Sequence, residues 1–508
     1  MSEPPLAMQR TPRAHRRLVV RHGVAWSTFS EVAQFALNFA AMLLLVRIIP
    51  PAEYGKATAA TSVLVLLTSF SASGLLGHVI QLHEGEEPDW TLHWHAALVV
   101  QGTLFVVANL VAGIYWLLPS YRPAAPLLHI GSLGCLLNLP HLFAYHLLQR
   151  ELDFRRSRVG IVLSSLASTV TTVALGLAGG GAYAIVIGAQ VAGLLPLTVY
   201  LFAIRRWRPV GPWIRWPEWR RHGDSVRFGG QQMLLGMLWG ARGTLEAVIF
   251  PGAMGFGAMG LLGRATGLHG QTVGRASMIL RDAVYPLLPR SAGDPHTFAR
   301  HTTLFVQATL LAVLPGAVAL GLLGPALSRV LYGNKWIAAD PLIWPVALSG
   351  LGLGLFSVGL LVVQAASRLR ATLLLAIAEA TLAAPIVFVT LLGVSLERYA
   401  WMAAFAELAA GALALGVAAR HLTRRWEWDA VAPSGVAAAS GAATMLALRP
   451  LVSTVRPGAQ LAVLVPAFLL AAILGLRVAF PHVLRDILVR LKGGSVLLRW
   501  LALRHSRT

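Results

Sequence analysis

The sequence predicts an all-α polytopic membrane protein with about 14 transmembrane helices. Three observations carry that prediction. Apolar residues make up 56% of the 508-residue chain and charged residues only 12%, against about 45–50% and about 25% in a soluble domain. The apolar residues fall in runs of the length that a spanning helix needs, about 20 residues. The basic residues gather in alternate connecting segments, as they do in cytoplasmic loops. This composition excludes a disordered chain, a soluble multidomain enzyme and a secreted disulfide scaffold. Cys135 is the single cysteine, so no disulfide forms within the chain.

Residues 1–22 form a basic N-terminal tail without a cleavage pattern, so the apolar run after it reads as a span and not a signal peptide. Six spans follow at 23–47, 56–82, 94–118, 125–149, 157–178 and 182–204, an N-lobe covering 23–204. A basic, Trp-rich linker occupies 205–228. The C-lobe, 229–420, holds six more spans at 229–250, 255–280, 301–323, 338–365, 371–393 and 397–419. Two additional spans, 431–454 and 459–479, lie in 421–480, the first interrupted by Arg449 and Pro450. The tail 481–508 alternates Leu, Ile and Val with Arg and Lys, which suits an interfacial amphipathic helix or a partly ordered basic end.

With the N-terminus inside, 31 of the 42 Lys and Arg fall in inside segments and eight outside. That asymmetry puts both termini in the cytoplasm. The loop 83–90 is silent, having neither Lys nor Arg. The excess of +21 is therefore mainly a topology signal and calls for no nucleic-acid partner. The linker mixes Arg with Trp207, Trp213, Trp216 and Trp219. Base stacking would use such a mixture, but Trp at headgroup level beside cytoplasmic Arg is the commoner arrangement in membranes, where lipid is the partner.

Two turns look like copies of one another: Ile48 to Gly55 after span one, and Val248 to Gly257 after span seven. Both follow apolar-apolar-Pro-small-Ala-x-aromatic-Gly with one insertion. Pro would stop the helix and Gly would permit the return. Six spans separate the copies, so the two lobes have the same orientation. Their pseudo-twofold axis then runs along the membrane normal, with substrate between the lobes.

Four segments carry a family resemblance: Val46 to Gly55, Leu147 to Arg156, Gly179 to Gly188 and Leu331 to Trp336. In that order they resemble motifs of the bacterial polysaccharide-export flippases, a branch of the multidrug/oligosaccharidyl-lipid/polysaccharide exporter superfamily. The likeness runs from about residue 24 to residue 420 and departs at Ile49-Pro50-Pro51, where the family usually has Leu-Gly or Leu-Ser before its Pro. The resemblance implies an alternating-access flippase in the bacterial inner membrane. It would carry polyprenyl-diphosphate-linked glycans for exopolysaccharide, capsule or O-antigen synthesis, beside glycosyltransferases and a polysaccharide polymerase.

Ionisable residues inside spans are costly and usually face the bundle interior or a watery cavity. In span one, Ser27, Glu31, Gln34 and Asn38 are spaced by four, three and four, so they share a face. That stripe either lines the cavity for sugar hydroxyls or forms an interhelical hydrogen-bond seam. In span seven, Arg242 and Glu246 are four apart and either meet substrate or neutralise each other. In span eight, Arg264, Gln271 and Arg275 come to nearly one azimuth if the helix is regular, with about 16 Å between the arginines. No acidic residue of that span precedes Asp282. Guanidinium groups bind phosphate bidentately and stay charged, so a diphosphate fits. Snorkelling, or pairing with a Glu elsewhere, is the other reading. Glu379 and Glu407 sit mid-span and are candidate coupling sites for H+ or Na+, or partners for those arginines. Asp340, near a span end, is expected to be solvated.

Enzyme chemistry has little support. His93 and His95 supply two potential zinc ligands and spacing places no third. The glycine runs 179–181 and 350–354 lack the Gly-Lys-Ser/Thr of a phosphate-binding loop, so neither cofactor nor metal is expected. A lipid II flippase is the alternative within the same superfamily. A membrane glycosyltransferase or polymerase would need paired acids or a large external loop, and the loops here are short.

Overall fold

The structure is a computed structural model. It describes residues 13–70, 76, 89–151, 153–194, 216, 223–284, 287–291, 293–366, 368–422 and 431–490. Residues 1–12, nearly all of the linker 205–222 with Trp207, Trp213 and Trp219, the loop 83–88 and the tail 491–508 lie outside the described residues, as do the ends of spans two and six. Among the described residues every regular element is helical. Ten helices among the described residues are long and apolar enough to cross a membrane, so the chain is a multi-pass membrane protein.

Those ten coincide with expected spans one, three, four, five and nine to fourteen. The last pair, weakened in the sequence by Arg449 and Pro450, forms two full helices, Ala432–Val452 and Pro457–Ala479. Pro450 falls in the final turn of the first, where it removes one backbone donor and leaves the rest of the helix intact. Span eight is not one regular helix. It is divided into Gly255–His269, a π-turn Gly270–Gly274 and Arg275–Val284.

The chain separates into two units, 1–257 and 258–508. The first holds α1 (Arg13–Ile48), α2 (Pro51–Ser69), α3 (Trp90–Leu117), α4 (Ala125–Arg150), α5 (Phe154–Leu177), α6 (Gly181–Leu194) and α7 (Gly223–Ala253). Helix α1 packs on α5, α3 on α4, and α2 on α4, α6 and α7. Ala57, Ala60, Ala108, Ala112 and Ala182 sit in that core beside Leu64, Leu127 and Val186. Lipid offers no hydrophobic gain for helix association, so small side chains that let backbones close up supply the packing. Packing thus groups α7 with the first unit, although it follows the linker in sequence.

The second unit contains α8 (Gly255–His269, which begins just before the division), α9 (Arg275–Val284), α10 (Leu287–Ser291), α11 (Pro295–Tyr332), α12 (Asp340–Ala365), α13 (Leu369–Ala383), α14 (Leu396–Leu422), α15 (Ala432–Val452), α16 (Pro457–Ala479) and α17 (Pro481–Arg490). Helix α11 packs on α9 and α12 and on the α15–α16 hairpin. Helices α12 and α14 meet along Gly352, Gly359 and Gly411. A Cβ on Gly359 would stand 2.5 Å from the carbonyl carbon of Ala414, so only glycine permits this approach.

Helix starts follow local chemistry. Pro51, Pro295 and Pro457 occupy first helical positions, where a missing N–H costs nothing. Asp153 caps α5 by accepting from Arg156 N at 3.2 Å, and Asp294 caps α11 by accepting from His296 N at 3.1 Å. The two repeated turns do not share a geometry. In the first copy Pro51 starts α2 and Gly55 lies within it. In the second Pro251 lies inside α7, and the chain turns later, at Gly255 with φ +79°. Each copy keeps half of the Pro-stop, Gly-return reading: α1 ends at Ile48, just before Pro50, but Gly55 makes no return, whereas Pro251 does not stop α7 and Gly255 does make the return.

Candidate substrate-binding residues

Helix α1, which carries the polar stripe, packs against α5. Glu31 is exposed and its Oε1 lies 3.9 Å from Arg158 Nη1. Gln34 is half-buried and donates to Ser30 Oγ at 3.0 Å and to Ser30 O at 3.2 Å. Ser27 is half-buried and Asn38 exposed. Arg155 sits over the Trp26 ring at 5.8 Å. Sequence reading missed Arg158 and Ser30. Arg158 lies in the second turn of α5 with a side chain only 19% exposed.

In α7, Arg242 Nε and Glu246 Oε1 are 3.5 Å apart, and both side chains are largely buried. The spacing of four places them on one face of the helix, and the pair forms. Its charges offset one another where an isolated charge would be expensive.

The one-azimuth arithmetic for Arg264, Gln271 and Arg275 assumes an unbroken α-helix. The π-turn at Gly270–Gly274 lies between the two arginines and invalidates it. A π-turn absorbs roughly one extra residue, which takes about 100° out of the expected register. All three side chains are half-buried. The π-turn is seated in glycine notches of its neighbours. The imidazole of His269 occupies the place of a side chain at Gly350, and a Cβ on Gly316 would approach Val273 to 3.1 Å. Such bulges interrupt helices frequently at functional sites.

Glu379 on α13 and Glu407 on α14 are both buried, 6% and 1% exposed, and their helices pack together. A Cβ on Gly352 of α12 would collide with the Glu407 backbone, so Glu407 stands at the closest approach of α12 and α14. Asp340 is not simply solvated: its Oδ2 pairs with Arg329 Nη2 at 3.1 Å, and its side chain is 13% exposed. His93 Nδ1 lies 2.7 Å from Asp89 O, a backbone contact that orients the ring. Among the described residues no cluster of metal-ligating side chains occurs.

Two recurrent motifs meet in the first unit. Glu53, in the first turn of α2, is hydrogen-bonded to Lys56 at 2.5 Å and accepts from Ala182 N at 3.2 Å. Burial works to raise its carboxyl, but Lys56 and the Ala182 N–H prevail and hold it below its ordinary value. Gly181, at φ +51°, gives that carboxylate room, since a Cβ there would stand 2.9 Å from Glu53 Oε2. The motif at 331–336 is also structural. Tyr332 and Trp336 are buried with rings 6.3 Å apart, around Gly333 at φ +81°.

Residues 44–341 match the family described as polysaccharide biosynthesis protein. The succinoglycan biosynthesis transport protein ExoT of Rhizobium meliloti (strain 1021) is 28% identical over 351 residues, covering 67% of each chain. Among solved structures, the lipid II flippase MurJ in an inward closed conformation superimposes with a TM-score of 0.72. That match has 13% identity and covers 91% of this chain and 99% of that one. An inward-facing multidrug resistance MATE family transporter of the MOP superfamily gives 0.55 at 14% identity, over 77% of this chain and 94% of that one. At these identities the structural matches establish a common fold.

Proposed function

The chain belongs to the polysaccharide biosynthesis protein family, and on that premise we propose that it is a flippase for polyprenyl-diphosphate-linked oligosaccharide repeat units. It moves them from the cytoplasmic to the periplasmic leaflet by alternating access and makes or breaks no covalent bond. The single observation that carries the substrate class is the presence of Arg264 and Arg275 on either side of the π-turn in span eight. An arginine at the middle of a spanning helix costs about 2.5–3.5 kcal/mol on insertion scales, so one kept there has a use. It is permanently charged and geometrically matched to phosphate oxygens. The π-turn supports the reading in a second way, because it sets the two guanidinium directions independently of α-helical register.

Gln271, the α1 stripe of Glu31, Gln34 and Asn38, and the Arg242–Glu246 pair supply hydroxyl-binding groups for the glycan. The six spans of 23–204 form its N-lobe and the six of 229–420 its C-lobe, with two added helices in 421–480. Glu379 and Glu407 are the sites where H+ or Na+ couples to the conformational cycle. The protein sits in the inner membrane with both termini cytoplasmic, as 31 of 42 basic residues on inside segments support. Glycosyltransferases supply its substrate and a polymerase consumes its product.

The test is polysaccharide export in a strain whose only copy carries Arg264→Gln and Arg275→Gln. The expected result is normal membrane insertion with export lost; export at the wild-type level would overturn the anion site. Expression in a strain depleted of its lipid II flippase separates the neighbouring substrate. Failure to rescue growth is expected, and rescue would reassign the cargo to lipid II.

A further inference from the structure

Helices α11, α15 and α16 enclose a cavity of about 240 Å³ at the end where α15 turns into α16. Two arginines reach it, Arg329 from α11 and Arg449 from α15. Arg329 is neutralised by Asp340 at 3.1 Å. Arg449 lines the same cavity and, among the described residues, makes no hydrogen bond or ion pair. The cavity therefore carries one net positive charge. Gln460 also lines it, with its amide nitrogen engaged by Val455 O at 3.0 Å and Ser453 O at 3.4 Å. The remaining wall is partly apolar, with Leu323, Met445 and Leu464.

We propose that this cavity binds the headgroup of an anionic phospholipid, with Arg449 as the phosphate ligand. Charge decides the class: one net cation matches a headgroup of net charge minus one and gains less from a zwitterion, whose own ammonium offsets its phosphate. Size decides how much of the lipid enters. The cavity is smaller than the roughly 300–1,000 Å³ that encloses a whole small molecule, so it takes the headgroup and leaves the chains outside. The surroundings supply the place for those chains. Leu446 and Leu451 on α15 and Leu469 and Leu470 on α16 are exposed on helices that are apolar enough to be in the bilayer. Arg449 lies in the last turn of α15, the depth at which phosphates of a bilayer are found. The bound lipid then pins the α15–α16 hairpin to α11.

The test is native mass spectrometry of the full-length protein in mild detergent with equal amounts of phosphatidylglycerol and phosphatidylcholine of matched chains. Wild type is expected to retain phosphatidylglycerol over phosphatidylcholine several-fold. Arg449→Gln is expected to reduce that preference to near unity. Arg456→Gln removes an exposed charge nearby that does not line the cavity, and is expected to keep it. An unchanged preference in Arg449→Gln overturns the proposal, as does an equal loss in Arg456→Gln. Stronger competition by polyprenyl phosphate than by phosphatidylglycerol also overturns it, because the site would then be one for the carrier lipid. Arg449→Lys keeps the charge without the bidentate fork. Its expected intermediate preference shows that the loss in Arg449→Gln is one of phosphate binding; if Lys instead behaves as Gln at full thermal stability, charge complementarity is not the cause.

Discussion

Glu53 Oε2 accepts a hydrogen bond from the backbone N–H of Ala182 at 3.2 Å, across 129 residues of chain. This carboxylate serves the start of α6 while belonging to the first turn of α2, so it fixes the relation of two helices within the first unit. The energy of such a cap is about 1 kcal/mol. The Glu53 carboxyl is held below its ordinary value of 4.5 by Lys56 and Ala182 acting against burial. A depressed pKa contributes stability that is complete above the unfolded value and disappears as pH falls through the folded one. The melting temperature of Glu53→Ala in detergent is therefore expected to lie below wild type at pH 7, with the gap closing below about pH 4.5. A gap independent of pH would show that the effect is packing and not charge.

Gly181 and Gly179 stand one residue apart and should respond differently. Both have positive φ, +51° and +85°, but only Gly181 faces a carboxylate, and Gly179 meets open space. Asn tolerates the left-handed region better than other residues with a Cβ. Gly179→Asn is expected to be close to neutral, whereas Gly181→Asn displaces Glu53 and costs about 1–2 kcal/mol by losing the cap. Thermal melting of the two variants side by side reads the difference.

Gly350 and His269 form a complementary pair, one lacking the side chain whose place the other fills. Gly350→Ala is expected to lower stability by about 1–3 kcal/mol, the usual cost of overpacking. His269→Ala in the same chain removes the obstacle. The double variant is expected to regain part of that loss, with a coupling energy of about 0.5–3 kcal/mol. Strict additivity would mean that the imidazole moves aside freely.

Spans one, three, four, five and nine to fourteen were legible because length and apolarity are local properties. The pairing of Arg242 with Glu246 was legible for the same reason, since a spacing of four is a fact about one helix. What could not be read is long-range. Nothing near Glu31 announces Arg158, nothing near Asp340 announces Arg329 beyond its sign, and Glu53 gives no sign of Ala182. The π-turn escaped for a different reason. Gly270 and Gly274 permit it, but the notches at Gly316 and Gly350 that seat it lie on other helices.

That turn leads to a sharper expectation for Arg264 and Arg275. Removing Gly270 would let the segment close into a regular α-helix and rotate one arginine relative to the other by about 100°. If both grip one diphosphate, export is expected to fall to background while the protein remains in the membrane at its normal level. Normal export from the deletion would mean that the two arginines act separately or that one of them does nothing in transport.

Arg242 and Glu246 allow structure and transport to be told apart, because their charges can be exchanged. Glu246→Gln leaves the guanidinium without its close carboxylate in a largely buried position, and breaking a buried pair costs about 3–5 kcal/mol. Membrane levels of that variant are expected to fall. The exchange Arg242→Glu with Glu246→Arg restores the pair within α7 and, with it, those levels. If the pair only lowers the cost of inserting α7, export returns together with protein level. If Arg242 also meets the glycan or its diphosphate, the exchanged protein is present but inactive, because the cation now stands one turn away. Immunoblotting of membranes beside an export assay on the same cultures separates the two cases, and the second is expected from the role proposed for α7 in holding substrate.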